Sequence, residues 1–198
     1  MDYFAVYKPY GMLCQFSQDG DKPTLGELDK FKRDVYPVGR LDTDSEGLLI
    51  LTNDKRLNNA LLNPENQHDR TYLVQIEGLV TAQAINDLES GVEIRINKKN
   101  YKTLPAKARI VKEAPNLPER HPPIRFRESV PTSWLELKLQ EGKNRQVKRM
   151  TAKVGFPTLR LVRWAIEDLS LDGMKPGDVM RLEADKIYDF LKIPSIKK

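Results

Sequence analysis

Residues 38–54 read Val38-Gly39-Arg40-Leu41-Asp42-Thr43-Asp44-Ser45-Glu46-Gly47-Leu48-Leu49-Ile50-Leu51-Thr52-Asn53-Asp54, an acidic cluster leading into an uncharged run of strand length. The run at 48–52 is bounded by Gly47 and by Asn53-Asp54, the pattern of a buried strand between two turns. The loop before it lies between Gly39 and Gly47. A carboxylate there would sit at a sheet edge, on a chain segment able to approach a ligand closely. Two other readings compete. Asp42, Asp44, Glu46 and Gly47 match the opening of an EF-hand calcium loop, but its ninth position is Ile50 and its twelfth is Asn53, neither of them a carboxylate. Pro37 and Gly39 also leave no entering helix. The plainer alternative is an Asp-rich turn whose carboxylates bond their own backbone.

Working outward, residues 3–7 read as a strand stopped by the turn Lys8-Pro9-Tyr10-Gly11, and Thr24 as the N-cap of a short helix through residue 31. Residues 55–62 and 82–90 read as helices. Tyr72, Val74 and Ile76 alternate along a strand at 72–77. Residues 92–96 and 106–111 read as strands around a polar stretch at 97–102. Residues 113–131 hold five of the thirteen prolines and read as an irregular insertion. Beyond it, 134–140 and 159–164 read as strands. The segment 144–154 reads as a helix with Val147, Met150, Thr151 and Val154 inward. A hairpin at Asp172-Gly173 and a closing helix at 184–192 complete the pattern. Many strands with few long helices between them predict an α+β fold on a mostly antiparallel or mixed sheet.

Charge is uneven. Residues 141–163 carry seven basic groups and one acidic group, a net +6, while the whole chain is +5. A basic patch on an otherwise near-neutral protein selects a polyanion, most commonly a phosphate backbone. One cysteine, Cys14, excludes an internal disulfide and fits a reducing compartment. His68 and His121 stand without a cysteine cluster, which argues against a zinc site. With no signal-like N-terminus and no apolar span, the expected location is the cytoplasm. No helix-turn-helix or zinc-finger pattern supports a DNA-binding protein.

The segment 38–54 resembles the signature of pseudouridine synthases of the ribosomal small-subunit type. Three more motifs follow the family's order: the Lys8-Pro9-Tyr10-Gly11 turn, Arg70-Thr71-Tyr72 with its strand, and Glu141-Gly142-Lys143-Asn144-Arg145-Gln146-Val147-Lys148-Arg149-Met150 with its strand. The stretch from Pro122 to Trp164 is similar to the branch of that family acting on large-subunit, 23S rRNA.

The resemblance implies one catalytic domain over residues 1–198, without the small N-terminal RNA-binding module of many relatives and with 113–131 as an insertion. It implies two lobes around a continuous mixed, mostly antiparallel sheet, and an active-site cleft between them. It also implies isomerisation of a specific uridine in 23S rRNA or a pre-ribosomal large-subunit particle. That reaction moves the ribose bond from base nitrogen to base carbon with no redox change, so neither cofactor nor metal is expected.

By resemblance Asp42 is the nucleophile and Tyr72 stacks on the extruded base, its hydroxyl being available for proton transfer. Lys148 is the cation paired with Asp42; many relatives carry arginine there, so a fork is replaced by a point charge. Arg40 is placed to fill the space left by the flipped base or to hold the flanking phosphate. Arg145, Arg149, Lys153, Arg160 and Arg163 are expected on phosphates. From the strand pattern alone Tyr72 reads as core, packed with Val74 and Ile76, and the other reading of Lys148 is a solvated helix face contacting phosphate. The insertion at 113–131 reads either as a substrate-contacting loop or as a strut on the rear surface. A monomer is expected, and the alternative function is an inactive ribosome-associated RNA-binding protein of the same fold.

Overall fold

The computed structural model describes residues 1–124, 127 and 129–194, and the chain divides into two compact units, residues 1–68 with 163–198, and 69–162. The fold is mixed α/β, and nine of its strands belong to one large sheet among the described residues.

In the first unit, β1 (Tyr3–Lys8) lies between β3 (Glu46–Thr52) and β11 (Val179–Arg181), antiparallel to both, while β3 also borders β9 (Thr158–Ile166). Every residue of β3 is buried, as its uncharged run requires. Strand β2 (Tyr36–Pro37) pairs with β3, which makes residues 38–45 the connection of a β-hairpin. Val6, Met12, Leu25, Val35, Leu49 and Leu51 form a core cluster with Phe4, Phe16 and Phe31 packed against it.

Helix α1 (Lys55–Leu62) starts at Asp54, whose Oδ1 accepts the Arg56 and Leu57 amides at 2.9 and 3.3 Å. Its Oδ2 accepts the hydroxyls of Tyr3 on β1 and Tyr188 on α4 (Ala184–Phe190) at 2.8 and 2.7 Å. One carboxylate thus caps a helix and ties three elements of the unit together. Burial opposes the charge on Asp54, but the bonds from Tyr188, Tyr3 and the two amides outweigh it and lower the carboxyl's pKa. Burial and the neighbouring carboxylate push Tyr188 up to about 12.

In the second unit, β4 (Arg70–Glu77) pairs antiparallel with β8 (Thr132–Leu139), which pairs antiparallel with β7 (Lys107–Val111). Helices α2 (Ala82–Ser90) and α3 (Gln146–Lys153) accompany them, and β5 (Glu93–Ile96) with β6 (Lys99–Lys102) form a separate two-stranded hairpin. Val74, Ile76, Leu88, Leu135, Leu137, Leu139, Val147 and Met150 lie at the heart of its core.

Helices α1 and α2 fall where the pattern predicts. Three expectations are corrected. The helix after Thr24 is only a single 3-10 turn, Leu25–Glu27, in which Glu27 accepts the Thr24 amide at 2.8 Å. The polar stretch at 97–102 is half of the β5–β6 hairpin. The hairpin after β9 turns at Glu167-Asp168, with Ile166 opposite Leu169 on β10 (Leu169–Ser170), and Glu167 takes a positive φ there. Asp172-Gly173 is a further turn, closed by the Met174 amide on Leu171 at 2.9 Å. The insertion holds neither helix nor strand among its described residues; Arg125, Phe126 and Glu128 lie outside them.

Asp54→Ala removes a helix cap and leaves two tyrosine hydroxyls without their acceptor, at an expected cost of about 3 kcal/mol. Because the carboxyl's pKa is lowered on folding, its contribution is complete above the ordinary carboxylate value near 3.8 and fades as pH falls through the lowered one. Urea unfolding of wild type and variant at pH 7 and pH 3 checks both: the gap narrows at the lower pH.

Candidate active site

The antiparallel register of β1 and β3 sets Lys8 opposite Gly47. The end of one strand and the start of the other therefore share an edge, and the Lys8–Gly11 turn meets the loop ahead of β3. Lys8 is fully buried, and its Nζ donates to the carbonyls of Pro9 at 3.0 Å and Met12 at 2.8 Å, which holds the turn closed. The Gly11 amide then donates to the Thr43 carbonyl at 2.8 Å, and the Ser45 amide to the Asp42 carbonyl at 3.0 Å. At the other side, the Val38 amide reaches the Ile50 carbonyl at 2.8 Å.

Along the loop, exposure alternates: Arg40 is exposed, Leu41 is buried and Asp42 is half-buried. The Asp42 carboxylate stands on a loop pinned from both strands. The calcium reading finds Ile50 fully buried inside β3, where a ninth-position oxygen donor would be needed.

Gly47 explains the closing glycine of the loop. Its φ is +120°, and a Cβ built on it would lie 2.9 Å from the carbonyl carbon of Arg163 on β9, and closer still to that residue's nitrogen and oxygen. Arg163 is 5% exposed; its Nε donates to the Leu48 carbonyl at 2.7 Å. Arg160 is 7% exposed, and its Nη2 donates to the Pro118 carbonyl at 2.9 Å. Residues 160–163 of β9 are all buried, so both faces of the strand are covered there. Arg160 instead ties the insertion to β9, and Arg120 does the same through the Leu159 carbonyl at 3.4 Å.

In the second unit the register of β4 with β8 sets Arg70 opposite Leu139 and Tyr72 opposite Leu137. The Arg70-Thr71-Tyr72 motif thus lies beside the point where the chain leaves β8 for the Glu141 motif. Tyr72 is 8% exposed and belongs to the core cluster with Val74, Leu137, Val147 and Met150. Helix α3 buries Val147, Met150 and Thr151 as predicted, and its first turn leaves Lys148 half-buried. Arg145 and Lys153 are exposed. Arg149 is half-buried; its Nη2 donates to Asn144 Oδ1 at 3.0 Å and its Nη1 to the Arg95 carbonyl.

The acidic member of this basic motif organises it. Glu141 is buried, and its carboxylate accepts the Tyr101 hydroxyl at 2.5 Å, the Leu104 amide at 2.8 Å and Gln146 Nε2 at 2.5 Å. Gln146 Oε1 in turn accepts the Lys143 amide at 2.9 Å. Both ends of the first α3 side chain are therefore fixed, with Arg145 before it in the left-handed region at φ 51°. The hydrogen bond to Glu141, with burial and the nearby charge, pushes Tyr101 up to about 12. Neither Glu141 nor the buried Lys8 was among the candidate residues. Their signal was an acidic residue opening a basic run, and a lysine closing an apolar strand.

Residues 2–153 match the family model described as RNA pseudouridylate synthase. The chain belongs to that family. It is an isomerase by that membership. The chain is 47% identical over 170 residues to "Ribosomal large subunit pseudouridine synthase E" of Vibrio parahaemolyticus serotype O3:K6, covering 86% of this chain and 69% of the relative. It is 49% identical over 171 residues to the synthase E of Xanthomonas axonopodis pv. citri, covering 85% and 87%. A solved structure described as a pseudouridylate synthase superposes with a TM-score of 0.78 at 26% identity, over 96% of this chain and 73% of the other. The expected branch and fold class agree with these likenesses.

Within this family member, the Glu141 network predicts that Glu141→Ala, which leaves three donors without an acceptor, costs about 3 kcal/mol or more. Tyr101→Phe removes a single bond to a charged group and costs about 1.5–3 kcal/mol. Thermal unfolding of the two variants checks the order.

Proposed function

We propose that this chain converts one uridine of 23S rRNA, in the large ribosomal subunit, to pseudouridine, with Asp42 as the nucleophile. What supports the reading most is the pinned loop: Asp42 is half-buried on a segment fixed by main-chain bonds, in a chain about 47% identical to large-subunit synthases.

The reaction breaks the bond between ribose carbon 1′ and base nitrogen 1 and forms one between carbon 1′ and base carbon 5. Carbon 5 loses its proton and nitrogen 1 gains one. A carboxylate that forms and then releases a covalent adduct divides this into two smaller barriers. A mobile carboxylate would have to be ordered at each turnover, whereas a pinned one is in position beforehand.

In this reading the Lys148 ammonium is the cation paired with the Asp42 carboxylate. The Tyr72 ring gives the extruded uracil a face to replace the stacking it loses. Extrusion costs about a few kcal/mol, and phosphate contacts offset it. Arg40, Arg145, Arg149 and Lys153 supply those contacts. With Arg160 and Arg163 buried, the phosphate-binding set is smaller than the charge of residues 141–163 suggests.

23S rRNA labelled with tritium at carbon 5 of uridine tests the reading, since the label is lost only when the new carbon bond forms. Wild type is expected to release tritium to a limit of one site per rRNA, and Asp42→Asn to release none while still binding the RNA. An inactive wild type on both free rRNA and pre-ribosomal particles would refute it.

A further inference from the structure

We propose that the β5–β6 hairpin is a second phosphate-binding element, gripping the backbone of the substrate RNA beside the basic face of α3. The proposal rests on the reading of RNA as substrate and adds a contact surface outside residues 141–163.

Residues 93–102 read Glu93-Ile94-Arg95-Ile96-Asn97-Lys98-Lys99-Asn100-Tyr101-Lys102, with four basic groups against one acidic group. Arg95, Lys98, Lys99 and Lys102 are all exposed. Glu93 is turned to Asn100, whose Nδ2 donates to it at 3.2 Å. Lys102 donates to the Gly91 carbonyl. Among the described residues, Arg95, Lys98 and Lys99 form no ion pair. The tip of the hairpin is therefore an uncompensated cluster of three cations.

The turn itself carries the second observation. Asn97 and Lys98 have φ of 49° and 65°, the left-handed pair of a two-residue hairpin turn. Glycine is the favoured residue at the second of these positions, and lysine is strained there. A strained backbone holding a charge at an exposed tip points to a use for that charge.

The hairpin is also built onto the basic motif. Ile94 is buried in the core that holds Val147 and Met150 of α3, and Ile96 packs against it. Arg149 of α3 donates to the Arg95 carbonyl, and Lys143 Nζ sits 5.1 Å from the centre of the Tyr101 ring. The hairpin cations and the exposed Lys143 and Arg145 are thereby held in one rigid assembly. A single uridine and its two phosphates cannot occupy so many charges, so the RNA must extend past the target nucleotide.

The double variant Lys98→Gly/Lys99→Gln tests this against unmodified 23S rRNA transcript, with Lys55→Gln/Lys186→Gln as a control that removes two exposed charges elsewhere. Glycine relieves the turn, so the melting temperature is expected to rise by about 2–4 °C. RNA affinity is expected to fall about tenfold, and the slope of log affinity against log salt to shrink by about 1.4, at about 0.7 for each phosphate no longer neutralised. An unchanged affinity and slope in the hairpin variant, or an equal loss in the control, would overturn the proposal. If wild type binds RNA but releases no tritium, the isomerase reading fails and the hairpin result still stands on binding.

Discussion

Gly47 has no room for a side chain, because the backbone of Arg163 occupies the space where a Cβ would lie. That close approach seats the start of β3 against β9, and the loop bearing Asp42 hangs from it. The other supports of the loop are main-chain bonds, from Gly11 and within the turn, which depend little on side-chain identity. Buried Lys8 closes the neighbouring turn by donating to two carbonyls. A fixed carboxylate is what a nucleophile needs, since its orientation is then settled before substrate arrives. The structure spends a glycine and a buried lysine on that fixity.

Charge in this protein separates into two populations with different physics. Arg160 and Arg163 are buried and donate to carbonyls, where the guanidinium acts as a hydrogen-bond donor to the main chain. Arg40, Arg145, Lys153 and the hairpin cations are exposed, where charge acts over a Debye length and responds to salt. Net charge over a sequence window merges the two. Glu141 shows the same division from the acidic side, as a buried acceptor for three donors inside a basic run.

Helices α1 and α2 were legible at 55–62 and 82–90, and in the structure each begins after a capping residue, Asp54 or Thr81, whose side chain accepts first-turn amides. The strands at 72–77 and 134–140 were legible from alternation, because each has one face in the core. Strand β9 was legible as a strand but its burial was not, since a central position in a sheet is set by partners distant in sequence. Strand β6 was missed because Asn97-Lys98 lacks the glycine that announces a hairpin, and β2 because two residues carry no period. The motif pairs were legible as motifs. That each pair shares a strand edge, Lys8 with Gly47 and Arg70 with Leu139, required the register.

A pinned Asp42 loop has to be ordered before substrate binds. Amide hydrogen exchange of the free protein, read at Gly11 and Ser45, tests it most directly, because their amides donate to Thr43 and Asp42. Exchange at the rate of global unfolding is the predicted result. Exchange as fast as that of an exposed loop amide such as Gly142 would show a loop that orders only on RNA, and would contradict the account.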